Sequence, residues 1–272
     1  MIILNKYNYM TYIEKLFNVK NKIAVVTGGL GIIGTQQCTA LASAGAKVAI
    51  FDIENPDKNH YLKKIARKYN IKFFRVDISK KEEVKKNLKK IKKIWGVPSI
   101  LLNNAAIDFP PNKERKETFE NYPLDKWKAV LEVNLTGMLI CCQIIGGEMA
   151  KNRNGSIINV SSTYGLLSPD QRIYDNFIKP VSYSVTKSGV LNLTRYLATY
   201  WANKGVRVNT LTPAGVFNNQ AKEFVKKYCQ RIPIGRMANS DEYNGAVLFL
   251  SSDASSYMTG SNLIVDGGWT AW

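Results

Sequence analysis

A short apolar run, Ile23-Ala24-Val25-Val26-Thr27, breaks into Gly28-Gly29-Leu30-Gly31-Ile32-Ile33-Gly34 and then into a helical stretch over 31–44. Strand, glycine turn and helix in that order open a βαβ unit. Glycines there let backbone N–H groups approach a pyrophosphate, and the helix N-terminus adds favourable partial charge. The same glycines would also serve a tight turn, but their place after the first strand favours dinucleotide binding.

The rest of the chain keeps the alternation. Apolar strands are expected at 48–51, 71–76, 100–103, 156–160, 206–211 and 262–265. Helices are expected at 57–69, over the lysine-rich 80–94, and through 130–149. The strands are continuous β-branched runs, which suits a parallel sheet covered on both faces. The fold class is therefore α/β, a single doubly wound domain. No Pro/Gly/Ser linker or repeat divides it, so residues 21–272 form one domain. Residues 1–20 read as an N-terminal extension, with Met10 as the natural start or residues 1–9 loosely ordered.

The net charge of +17 invites a nucleic-acid reading, and its distribution argues against one. Residues 58–93 hold 15 Lys/Arg against three Asp/Glu, most of the excess. The lysines come in doublets between Val84, Leu88, Ile91 and Ile94, which fall at helical spacing. That is a solvated amphipathic face, without the interleaved aromatics that stack bases. No apolar run approaches the ~20 residues that span a bilayer. The N-terminus is too short in apolar residues for a secretory signal. The reading is a cytoplasmic protein with a small-molecule substrate and neither nucleic acid nor membrane as partner. Cys38, Cys141, Cys142 and Cys229 lack metal-ligand spacing, so no metal site is expected. His60, the one histidine, sits among lysines and reads as a surface residue.

Acid–base chemistry must then come from elsewhere. Tyr183 and Lys187 lie four apart, one turn on the same helix face. A cation beside a phenol favours the phenolate and lowers its pKa, making a proton donor and acceptor near neutral pH. Tyr122/Lys126 and Tyr200/Lys204 share the spacing, so spacing alone does not choose. Asp52, 18 residues after Gly34, ends the second strand. A carboxylate there accepts ribose hydroxyls and repels a 2′-phosphate, which favours NAD over NADP.

At this point the chain resembles the short-chain dehydrogenase/reductase family, in its single-domain branch, over about residues 20–270. The resemblance rests on Thr27–Gly34, Asp77-Ile78, Asn103-Asn104-Ala105-Ala106, Asn134 in Val133-Asn134-Leu135-Thr136-Gly137, Ser161-Ser162, Tyr183/Lys187, Pro213-Ala214-Gly215-Val216 and Asp266-Gly267-Gly268. It implies a seven-stranded parallel sheet, order 3-2-1-4-5-6-7, in a homotetramer or homodimer. It also selects Tyr183/Lys187, which alone follows Ser162 and opens the next long helix. The implied catalytic set is Asn134, Ser162, Tyr183 and Lys187. Ser162 would hold the substrate oxygen and Tyr183 would transfer the proton. Lys187 would lower the tyrosine pKa and bind the nicotinamide ribose, and Asn134 would anchor a proton-relaying water chain. Cofactor contacts are implied for Gly28, Gly31, Ile33, Gly34, Asp52, Asp77, Ile78, Asn104, Ala105, Tyr183, Lys187, Pro213 and Val216.

Ile32 departs from the family's commoner glycine and gives a spacing like that of nucleotide-sugar epimerases. Only 57 residues follow Gly215, however, too few for their substrate domain. Ala214 and Asn218 also replace commoner residues. Ser162 and Tyr183 stand 21 apart, further than close relatives place theirs. The intervening 163–182 and the later 217–232 are expected to form the substrate mouth. Arg172 and Lys179 pair with an anionic group on one reading, with Tyr174 and Phe217 beside them; on the other the segment is a structural loop or a subunit contact. This insert resembles a subgroup near surface-sugar and flagellin-glycan biosynthesis, implying a sugar or sugar-phosphate hydroxyl as substrate. The alternatives are an NADPH-dependent 3-oxoacyl-carrier-protein reductase and, in another class, a non-catalytic dinucleotide-binding protein.

Overall fold

A computed structural model describes residues 11–109, 117–174 and 177–272. The expectations about residues 1–9, and the part of the insert at 175–176, lie outside the described residues. Seven parallel strands form one sheet in the order β3-β2-β1-β4-β5-β6-β7. They are β1 (Ile23–Thr27), β2 (Lys47–Asp52), β3 (Ile71–Arg75), β4 (Ile100–Asn103), β5 (Gly155–Val160), β6 (Val206–Pro213) and β7 (Asn262–Val265). The chain winds outward from β1 to β3, then returns to lay β4 on the other side of β1. Reversal there opens a crevice at the carboxyl ends of β1 and β4, where such sheets bind ligands.

Each inner strand is buried on both faces. In β1, Ile23 and Val25 enter one core cluster while Ala24 and Val26 enter the other. Helices Lys81–Ile94, Leu124–Lys151 and Val181–Trp201 contribute to the first cluster. Helices Ile32–Ser43, His60–Ala66 and Asn244–Ser251 contribute to the second. All seven lysines of the Lys81–Ile94 helix are exposed over buried Val84, Leu88 and Ile91. Ile94, expected inward, is 47% exposed because it closes the last turn beyond the sheet contact.

Three details differ from expectation. The helix expected over 57–69 is a 3₁₀ turn, Pro56–Lys58, followed by His60–Ala66. Asn59 restarts it by accepting the Leu62 N–H at 2.9 Å. Leu124–Lys151 is one helix that is apolar enough in length and composition to cross a bilayer. Half of its most apolar stretch is buried in the protein, and it carries Asn134 to the crevice, so it serves as a core helix. The extension is structured from Thr11, which caps helix Tyr12–Leu16 in a reciprocal box with Glu14. Val19 is fully buried in the second core cluster, so core packing begins before residue 21.

Candidate active site

The glycine turn and the β4 end are laced together. Gly28 adopts φ +63°, and a Cβ there would stand 2.7 Å from Ala105 Cα. At Gly34 a Cβ would stand 2.2 Å from the Gly28 carbonyl oxygen. Both glycines are therefore demanded by close approach. Thr27 Oγ1 accepts the Asn104 and Ala105 N–H groups at 3.1 and 3.0 Å. The Asn104 amide donates to the Thr27 and Gly28 carbonyls at 3.2 and 3.0 Å. Gly31 precedes helix Ile32–Ser43 and offers no side-chain cap. The first-turn N–H groups keep no side-chain acceptor, the arrangement that receives an anion.

These residues line a cleft of about 830 Å³ with Ile33, Asp52, Asp77, Ile78 and Tyr183. Asp52 is fixed at its rim, accepting the Leu30 and Glu54 N–H groups at 2.9 and 3.0 Å. No arginine follows Asp52 closely in sequence, but sheet pairing places Arg75 opposite it across β2 and β3. The Arg75 guanidinium turns to the Ile53 carbonyl at 3.3 Å and does not line the cleft. Asp77 accepts both Ser79 donors, at 2.9 and 2.7 Å, and shapes the turn beneath the cleft. The glycine cradle, open helix N-terminus and rim carboxylate fit a dinucleotide.

The cleft shares Ile33, Asn104, Ala106 and Tyr183 with a second pocket of about 310 Å³. Ser162, Lys187, Pro213 and Val216 line that pocket. Ser162 follows β5 and caps helix Thr163–Leu166 by accepting the Tyr164 N–H at 3.2 Å. Tyr183 and Lys187 lie one turn apart at the start of Val181–Trp201. Lys187 is nearly fully buried, and its ammonium donates to the Val160 carbonyl at 2.8 Å, 5.6 Å from the Tyr183 ring centre. Burial pulls Lys187 down to about 8, partly opposed by Asp108.

The expectation that Lys187 leaves Tyr183 with a lowered pKa is reversed here. Burial of the phenol, with the Asp108 carboxylate adding to it, raises Tyr183, and hydrogen bonding with Ser162 opposes only in part. Asn134 is fixed by its own side-chain hydrogen bonds. It sits in a π-helical turn, Glu132–Gly137, inside the long helix, an irregularity that often accompanies function. Its amide donates to the Ile107 carbonyl at 3.0 Å and to Thr186 Oγ1 at 3.2 Å, and accepts the Ile107 N–H at 2.8 Å. With both N–H donors committed, the side chain braces the β4 loop against the catalytic helix.

The other Tyr/Lys pairs are occupied elsewhere. Tyr122 hydrogen bonds Ser182 at 2.8 Å while Lys126 pairs with Glu117. Tyr200 is exposed, with the Lys204 ammonium 5.2 Å from its ring.

The insert does reach the pocket, through Tyr174 and Lys179. Tyr174 bonds the Tyr164 hydroxyl at 2.7 Å and packs its ring 5.5 Å from Phe224. Burial pushes Tyr164 up to about 12 and Tyr174 higher still. Arg172 does not join them. It is held by Asp170 at 2.9 and 3.0 Å and lines a separate surface pocket with Lys227 and Trp272. Asp170, on the same segment, also pairs with Arg231, which pins the insert to the far side. Phe217 is half exposed and lines neither pocket. From the 217–232 segment, Gln220, Phe224 and Tyr228 line the pocket instead. Tyr228 accepts the Gly215 N–H at 2.8 Å and stacks on Trp269 at 4.4 Å. Sequence reading missed Tyr164 and Asp108. Tyr164 was signalled by its place two residues after Ser162. Asp108 had no signal, because its partner Lys179 is 71 residues away.

A family model described as enoyl-(acyl carrier protein) reductase matches residues 31–270. An NAD-dependent glycerol dehydrogenase of Listeria innocua is 33% identical over 268 residues, covering 94% of this chain and 97% of that protein. Among solved structures, a gluconate 5-dehydrogenase from Burkholderia cenocepacia in complex with NADP and tartrate superposes with a TM-score of 0.85 at 28% identity, covering 96% and 100% of the two chains. A short-chain dehydrogenase from Leptospira borgpetersenii with bound NAD+ gives 0.82 at 32% identity, covering 98% of each. Motif order, sheet order and these matches agree, and the chain belongs to the short-chain dehydrogenase/reductase family.

Proposed function

We infer that this chain is an NAD(P)-dependent oxidoreductase acting on a CH–OH group, with a sugar or polyol derivative as substrate. The observation that carries the reading is the meeting of Ser162, Tyr183 and Lys187 in a pocket that opens from a dinucleotide-shaped cleft. A bound nicotinamide supplies the hydride donor or acceptor. The protein does the positioning and the proton work. Ser162 holds the substrate oxygen, and Tyr183 gives or takes its proton. Lys187, anchored on Val160, fixes a positive charge beneath that phenol and would bind the nicotinamide ribose.

NAD is the proposed cofactor over NADP, because the Asp52 carboxylate stands at the cleft rim and no arginine lines it among the described residues. The pocket lining, which carries the paired Tyr164 and Tyr174 hydroxyls, suits a hydroxyl-rich substrate better than an acyl thioester. The named substrates of the matched relatives, glycerol and gluconate, point the same way. A homotetramer or homodimer working in the cytoplasm completes the reading. A place in surface-sugar or flagellin-glycan biosynthesis rests on the long Ser162–Tyr183 segment together with Asn192-Leu193-Thr194-Arg195-Tyr196-Leu197.

The test is oxidation of glycerol, threitol, mannitol and gluconate with NAD and with NADP, followed by nicotinamide absorbance. NAD should give the higher kcat/KM, and Asp52→Ala should narrow the difference. Tyr183→Phe keeps the ring and removes the proton. It should lower kcat by about 10²- to 10⁴-fold while nucleotide binding persists. Turnover unaffected by that substitution would refute the mechanism.

A further inference from the structure

Lys179 is the cation that the insert delivers to the reaction centre. Its backbone is clamped by Gln171, whose amide accepts the Lys179 N–H at 2.8 Å and donates to the Lys179 carbonyl at 3.3 Å. The ammonium lies 4.4 Å from the Tyr183 ring centre and 5.9 Å from that of Tyr164. It is already partnered there, because Lys179 pairs with Asp108 Oδ2. Asp108 follows Ile107, the residue whose backbone Asn134 grips from the long helix. Two separate devices thus place one carboxylate and one ammonium beside the catalytic phenol.

The pair is incomplete on one side. Asp108 Oδ1 is buried and has no hydrogen-bond partner among the described residues. A buried carboxylate oxygen left without a donor is destabilising, and native structures rarely keep one without a use. Asp108 lines the cofactor cleft while Lys179 lines the substrate pocket, and Tyr183 lines both. The Asp108 carboxylate therefore stands at the junction of cleft and pocket, beside the catalytic phenol.

We propose that the Asp108–Lys179 pair selects an uncharged polyhydroxylated substrate, with the Asp108 carboxylate turning to accept a hydroxyl that neighbours the reacting carbon. The proposal rests on the oxidoreductase reading above and names the substrate class of that same site. A carboxylate accepts hydroxyl donors and has none to offer an anion. A substrate carboxylate or phosphate reaches Lys179 only by displacing Asp108, which leaves a partly buried negative charge unpaired. Selectivity then comes from the repulsive partner as much as from the attractive one. This reverses the expectation that Lys179 is present to bind an anionic substrate.

The experiment compares kcat and KM for glycerol, threitol and mannitol with those for gluconate, in wild type, Asp108→Asn and Lys179→Met. Thermal melts and NADH binding report that each variant is folded. Wild type should favour its best neutral polyol over gluconate by tenfold or more in kcat/KM. Asp108→Asn should cost about tenfold on the polyol, mostly in KM, and improve gluconate, so that the ratio collapses. Lys179→Met leaves the carboxylate without its counter-charge and should widen the ratio. A wild-type preference for gluconate, or equal losses on both substrates in Asp108→Asn, overturns the proposal. Turnover that needs Tyr183 but ignores Asp108 overturns this proposal alone. No turnover of any probe with either nucleotide overturns the oxidoreductase reading and this proposal with it.

Discussion

Burying an ammonium has opposite consequences for stability and for chemistry at Lys187. Its folded-state pKa is drawn to about 8 from an ordinary value of 10.5, chiefly by burial. Below about pH 8 the lysine is charged in both folded and unfolded states, and the folded state bears the desolvation. Between about 8 and 10.5 the unfolded state binds more protons, so stability rises with pH through that window and is lost again as pH falls through 8. The full swing is about 3 kcal/mol from the 2.5-unit depression. Lys187→Met should remove it: urea midpoints at pH 7.5 and 9.5 should converge relative to wild type, while activity is lost at both. An unchanged pH dependence in the variant would assign the titration to another group. The Tyr183/Lys187 couple was legible in the sequence by motif order. Its electrostatics were not, because Asp108 comes from a distant segment and meets the couple only in the folded sheet.

At the scale of elements, the site depends on a polar ladder beneath it. Asn103 at the end of β4 donates to Asn159 of β5 at 2.9 Å. Asn159 donates to Thr194 of the catalytic helix at 3.0 Å, and Thr210 of β6 reaches the same hydroxyl at 2.8 Å. The ladder ties Val181–Trp201 to β4, β5 and β6 at Thr194 and so holds the catalytic helix against the sheet. Asn159→Leu would keep the branched outline and leave the Asn103 amide and the Thr194 hydroxyl short of a partner in a fully buried place. The expected loss is about 1–3 kcal/mol, read as a lower urea midpoint at an unchanged m-value. A loss below half of that range would mean the ladder rearranges. The strands themselves were readable because their runs Ile23–Thr27 and Ile100–Asn103 are apolar and buried on both faces. The ladder was not, since Asn103 and Asn159 look like ordinary strand ends. Nor were the π turns at Glu132–Gly137 and Cys142–Gly146, which leave no signature in residue type.

For the whole molecule, two long helices leave a large apolar face uncovered. Val185, Tyr196 and Tyr200 of Val181–Trp201 are 43%, 62% and 56% exposed. Their spacing of eleven and four residues puts them on one side of that helix. The Tyr196 and Tyr200 rings stack with centres 6.0 Å apart, and Leu124 and Leu139 of the neighbouring helix are exposed as well. Exposed rings and aliphatic side chains on two neighbouring helices are what a self-complementary interface buries. Association must work against a net charge of +17 per chain, and salt screens that repulsion without weakening the apolar contact. Light scattering should therefore give a mass of two or four chains, with the larger species favoured as salt rises. The double variant Tyr196→Glu/Tyr200→Glu, placing charge where rings meet, should fall to a smaller species at every salt concentration while keeping its melt. A wild-type protein with the mass of one chain throughout, or a double variant with unchanged mass, would leave this face without a role in assembly.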